Sequence, residues 1–192
     1  VNSPIQDQDY NEYFNISELS LTNVFSDKDG DALTLSAVSS NPGVVTVSLD
    51  GFMLTITEQS LGSSTITLTA SDGRLTEDAA FVVRVNNVND APVVANPVAD
   101  LSGDEYEGPF TVDLSAVFSD KDGDLLTLTG SSSDTTVLRV SVTGTTLTIS
   151  EVAPGSAEIT VTATDPGTLF AQDRLVFTLN NLKEAPEVAN TV

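Results

Sequence analysis

The octapeptide Val24-Phe-Ser-Asp-Lys-Asp-Gly-Asp31 returns unchanged as Val117 to Asp124, 93 residues later. An identical stretch at that distance marks a tandem array of units of about 90 residues, each large enough for a modest core. Each copy spaces three carboxylates two residues apart, with a glycine before the third. In an extended backbone, side chains at i, i+2 and i+4 share one side. Asp27, Asp29 and Asp31 can therefore converge, as can Asp120, Asp122 and Asp124. Gly30 and Gly123 permit the bend that aims them. A plain Asp-Gly turn would use the same residues, so the loop alone leaves both readings open.

The 93-residue offset also carries Asp7 to Asp100, Tyr13 to Tyr106, Gly51 to Gly144, Glu58 to Glu151 and Asp72 to Asp165. One residue is inserted near Pro166, after which Asn89-Asp90-Ala91-Pro92 pairs with Lys183-Glu184-Ala185-Pro186. Residues 186–192 echo residues 92–98. The spacing predicts one repeat over 1–91, a second over 92–185 and the start of a third over 186–192. Val1 opens the sequence and no signal peptide is present, which reads as a piece of a larger secreted protein.

Periodicity within each unit is two. Leu33-Thr-Leu-Ser-Ala, Val45-Thr-Val-Ser-Leu, Thr65-Ile-Thr-Leu-Thr-Ala and Phe81-Val-Val-Arg-Val alternate apolar with polar residues, as strands with one buried face require. Turn-forming clusters separate them. Seven strands per unit are expected, near 3–6, 14–25, 32–38, 44–48, 52–57, 64–71 and 79–88 in the first. The fold class is all-β: two tandem seven-stranded Greek-key β-sandwiches.

Against 28 Asp and Glu stand 7 Lys and Arg, with no His, for a net charge of −21. Such a surface repels nucleic acid and anionic membranes, so neither is an expected partner. No apolar run is long enough to span a bilayer, so direct membrane insertion is not expected. Without Cys or His, nucleophile–imidazole arrangements and zinc–thiolate sites are excluded, and the chain reads as a non-enzyme. Carboxylate oxygens without imidazole or thiolate select a hard cation, and Ca²⁺ tolerates a crowded, irregular oxygen cage. The loop is not an EF-hand, whose Gly and Glu positions it lacks. Asp72, where a strand ends at Ala70-Ser-Asp-Gly73, and Asn89-Asp90, before Pro92, add acidic landmarks at unit ends.

Together these motifs resemble the bacterial cadherin-like repeats, of the dystroglycan and putative-Ig variety, found in surface adhesins and secreted polysaccharide-degrading proteins. Phe25-Ser-Asp-Lys-Asp-Gly-Asp31 is similar to that family's Asp-x-Asp loop. Thr69-Ala-Ser-Asp72-Gly resembles its strand end, and Val88-Asn-Asp-Ala-Pro92 a shortened linker. The resemblance implies Ca²⁺ between consecutive domains. Asn89 and Asp90 would then meet Asp120, Asp122 and Asp165, with Glu12 and Glu58 supplied by the first unit. Asp27, Asp29 and Asp72 would face a preceding repeat, and Glu107, Glu151 and Glu184 a following one. The linker departs from the family pattern, because it lacks the first Asp and the second Asn, which implies fewer ions than a full site.

The expected function is that of a calcium-binding extracellular repeat pair that stiffens and spaces a bacterial surface adhesin. Its partners would be neighbouring repeats and an adhesion ligand at the cell surface. The alternative is a calcium-dependent carbohydrate-binding module of a polysaccharide-degrading protein. That reading would rely on Tyr10, Tyr13, Tyr106, Phe52 and Phe170, as no Trp is present.

Overall fold

The computed structural model describes residues 4–183. It divides into two compact units, residues 1–88 and 89–192. The opening of a third repeat expected over 186–192 lies outside the described residues, and among the described residues no helix forms.

The first unit contains β1 (Gln8–Asn11), β2 (Ile16–Ser20), β3 (Thr34–Ser39), β4 (Val45–Asp50), β5 (Met53–Glu58), β6 (Gly62–Ser71) and β7 (Thr76–Asn86). They form two sheets, ordered β1-β7-β6-β3 and β2-β5-β4. Period-two patterning does the sorting. On β6, Ser64, Ile66, Leu68 and Ala70 face inward while the threonines between them face out. Leu54 and Ile56 of β5 meet them, with Phe81, Val83 and Val85 of β7. Each such side chain taken from water contributes roughly 1.5–3 kcal/mol. β4 and β5 are joined by a two-residue turn at Gly51 and Phe52, and the turn requires the positive φ (58°) that glycine adopts without strain.

The second unit repeats the plan with β9 (Leu101–Asp104), β10 (Phe110–Asp113), β12 (Thr127–Ser132), β13 (Leu138–Thr143), β14 (Thr146–Glu151), β15 (Gly155–Thr164) and β16 (Phe170–Asn180). Its sheets run β12-β15-β16-β9 and β10-β14-β13. A third, two-stranded sheet is added, in which β8 (Val93–Val94) pairs antiparallel with β11 (Phe118–Ser119). It brings the linker to the edge of the acidic loop.

Two strands differ from expectation. The strand expected over 3–6 gives way to β1 at Gln8–Asn11, which pairs parallel with Val83–Asn86. The reason is Asp7. Its carboxylate accepts the Val82 N–H at 2.9 Å and pairs with Arg84 at 3.2 Å, so a side chain satisfies the sheet edge before the backbone does. Asp100 repeats the bond to Val176 N–H at 2.7 Å. The strand expected over 14–25 stops at Ser20. Leu21 N–H turns to the carbonyl of Phe52, and Val24 N–H closes a turn on Leu21, which frees the chain to form the acidic loop.

The repeats keep their folds with opposite solutions at one core position. Tyr10 stacks on Phe14 at 4.4 Å and hydrogen-bonds Ser17 at 2.9 Å. In the second unit the positions of Tyr10 and Ser17 hold Gly103 and Phe110, and a Cβ on Gly103 would collide with the Phe110 ring. A large residue has exchanged places with a small one. Gly103→Tyr alone should therefore destabilise the second unit by at least about 1–3 kcal/mol, the usual range for overpacking. Gly103→Tyr with Phe110→Ser should recover most of that loss, as measured by urea denaturation. A double variant no more stable than Gly103→Tyr would contradict the exchange.

Candidate metal centre

Each octapeptide folds on its own first aspartate. Asp27 Oδ1 accepts the N–H groups of Asp29 at 2.8 Å and Asp31 at 3.0 Å. Asp120 Oδ1 accepts those of Asp122 at 2.8 Å and Asp124 at 3.3 Å. The side chain thus closes the turn, and Gly30 (φ 83°) and Gly123 (φ 77°) take the left-handed conformation it requires. Turn and carboxylate cluster are one object, which is why the sequence alone could not separate them.

The two loops assemble different trios. In the first unit Asp27, Asp31 and Asp72 offer oxygens within 4.8 Å of one another. Asp27 and Asp72 border a cleft of about 260 Å³ that is also lined by Phe25, Leu33 and Leu75. The carboxylate of Asp29 stays outside this group. Asp72 accepts the N–H groups of Arg74 at 2.6 Å and Leu75 at 2.7 Å. Those bonds, Leu75 first, hold its carboxyl below the usual carboxylate range.

In the second unit the trio is Asp120, Asp122 and Asp124, and the linker organises it. Asn89 Nδ2 donates to Asp165 Oδ2 at 2.8 Å, and Asp90 N–H donates to Asp122 Oδ2 at 2.7 Å. Asp165, only 5% exposed, also accepts the Leu169 N–H at 2.9 Å. Partial burial raises the Asp124 carboxyl first, followed by the charges of Asp120, Asp122 and Asp165. Asp120 Oδ2 is buried and has no hydrogen-bond partner. An ionised oxygen withdrawn from water without a donor is costly. A hard cation would satisfy it, and the all-oxygen donor set fits calcium.

Glutamates also clamp backbone turns. Glu58 joins neither of these trios. Its two oxygens accept the N–H groups of Tyr13 and Asn15, each at 3.0 Å. Glu151 does the same for Tyr106, at 2.8 Å, and for Gly108. These carboxylates clamp a turn in which Tyr13 and Tyr106 hold positive φ (70° and 71°). Glu12 Oε1 accepts the Val88 N–H at 2.9 Å. The matching bond in the second unit, to Leu182 N–H at 2.9 Å, comes from Glu105 rather than Glu107. The 93-residue offset that joins Tyr13 to Tyr106 was the signal that could have found Glu105. Of the aromatics considered for sugar stacking, Tyr10 is engaged with Phe14 and Ser17, while Tyr106 and Phe170 are exposed.

The charge arrangement fixes a sign. Asp124 has a folded-state pKa above its ordinary value, so its ionisation opposes folding at neutral pH, and acidification through that value relieves the cost. Asp72 behaves oppositely, adding stability that is lost as pH falls. In chelator at neutral pH, Asp124→Asn should therefore melt above the parent, and the gap should close near about pH 3, where the carboxyl is protonated in both states. A parent that melts at or above the variant at pH 7 would contradict this.

Residues 2–84 match the family model of a bacterial Ig domain. No curated protein matches the chain. Among solved structures, EC1-2 of the human mucin-like protocadherin is 18% identical, with 94% of this chain and 98% of that one covered and a TM-score of 0.53. EC1-2 of human protocadherin-24 is also 18% identical, with 82% and 85% covered and a TM-score of 0.52. At such identities the likeness speaks for the fold. An endo-fucoidan hydrolase of glycoside hydrolase family 107 is 22% identical over 94% of this chain, which spans only 28% of that longer one; its TM-score is 0.39, too low to carry an argument. Among the described residues no helix is long and apolar enough to cross a membrane.

Proposed function

We propose that the chain is a pair of bacterial Ig-type, cadherin-like repeats whose acidic loops bind Ca²⁺ as part of an extracellular surface protein. The observation that carries this reading is the buried, unpartnered Oδ2 of Asp120, set among the carboxylates of Asp122 and Asp124. The trio of Asp27, Asp31 and Asp72 is the first unit's counterpart. With one basic residue for every four acidic ones, the chain supplies few counter-charges of its own. Weak sites, with dissociation constants on the order of 10⁻⁴ to 10⁻³ M, suit calcium outside cells.

The pair has a mechanical role in this reading. Cations at unit ends neutralise carboxylates that would otherwise repel, and a run of such repeats becomes stiff enough to space an adhesive tip from a cell surface. The repeats bind and support; they catalyse nothing. Their partners are neighbouring repeats and a ligand at another surface.

Calcium at about 100 times its dissociation constant should stabilise the unit that binds it by roughly 2.7 kcal/mol. Thermal melts in calcium and in chelator measure that, and Asp120→Asn should remove most of the gain in the second unit. Equal melting in both conditions would overturn the binding claim. Small-angle scattering tests the stiffening separately: calcium should narrow the spread of conformations. Identical curves with and without chelator would remove the mechanical role while leaving binding intact.

A further inference from the structure

The residue between Asp120 and Asp122 is a cation already at the site. Lys121 Nζ stands 3.2 Å from Asp90 Oδ2, with the lysine side chain 59% exposed and the aspartate 34%. Asp90 in turn donates its N–H to Asp122 Oδ2. The ammonium therefore engages the linker carboxylate nearest the acidic trio. Lys28 fills the same place in the identical first octapeptide, yet among the described residues it forms no ion pair. The difference lies in the company: the second loop has Asp90 bound to it and the first has no such residue in the described chain.

We propose that Lys121 is a built-in counter-ion that competes with the divalent cation for Asp90, lowering the second unit's affinity and leaving when the ion arrives. The inference rests on the calcium reading above. A lysine suits the part. Its ammonium is a compact point charge on a flexible four-carbon stem, so it can hold a carboxylate in the ion-free state and swing to solvent without disturbing the loop. The loop's geometry is fixed by Asp120 Oδ1 and the glycine, neither of which involves the lysine. Ion pairs this exposed are weak, so the competition is modest and tunes affinity instead of blocking the site.

Lys121→Met and Lys28→Met in the full chain provide the test. Gly123 and Gly30 each contribute a backbone amide signal that reports its own loop during a calcium titration followed by nitrogen–proton NMR. Lys121→Met should lower the calcium midpoint at Gly123 by on the order of two- to fivefold, the range an exposed pair can supply. Lys28→Met should lower the midpoint at Gly30 by less, reflecting only the loss of a nearby positive charge. In the parent, the Lys121 side-chain methylene signals should move with the same midpoint as Gly123. Equal shifts in the two variants, or Lys121 signals that stay still while Gly123 titrates, would overturn the counter-ion and spare the calcium reading. A Gly123 amide that ignores calcium overturns both.

Discussion

Carboxylates that the backbone forces together need a counter-charge, and the rest of this structure is arranged around that need. Asp27 and Asp120 each spend one oxygen on the N–H groups two and four residues ahead, which folds the loop tightly. The same folding leaves other oxygens facing one another. In the second unit the consequences are visible: a buried Asp120 oxygen without a donor, an Asp124 carboxyl pushed up by burial and then by its neighbours' charges, and a lysine drawn to Asp90. No single feature identifies an ion site, but together they show carboxylates crowded and partly withdrawn from water.

The sandwich gives the loop its rigidity. Val24 and Phe25, like Val117 and Phe118, are buried just before the first aspartate, so the loop leaves the core from a fixed point. Leu33 and Leu126 pack against the respective cores just beyond it. Polar clamps recur with the repeat: Asp7 and Asp100 on the sheet edge, Glu58 and Glu151 on the tyrosine turn, Glu12 and Glu105 on the last strand's exit. The apolar core is less strict, since Tyr10 with Ser17 and Gly103 with Phe110 fill one volume in two ways. Hydrogen-bond geometry admits fewer solutions than volume does.

Much of this was legible from residue order. The period of two in Thr65–Ala70 and Phe81–Val85 named the buried faces correctly, because alternation on a half-buried strand leaves no other register. The sequence reading failed where side chains replaced backbone. Asp7 displaced the first strand, and Glu58 turned its carboxylate to Tyr13 and Asn15, contacts 45 and 43 residues apart that no local pattern announces. The identical octapeptides gathered different trios because their surroundings differ. Asn89 and Asp90 engage Asp165 and Asp122, whereas Asp72 closes on its own turn. The resemblance places Asn89 and Asp90 beside Asp122 and Asp165; it does not give the bonds by which Asp72 closes its own turn.

The most direct measurement is long-wavelength anomalous diffraction from crystals of the chain grown in calcium. The account expects an anomalous peak at coordination distance, about 2.3–2.6 Å, from Asp120 Oδ2, with Asp122 or Asp124 completing the shell. An ordered map with no peak there, and Asp120 Oδ2 satisfied by water or a protein donor instead, would contradict it.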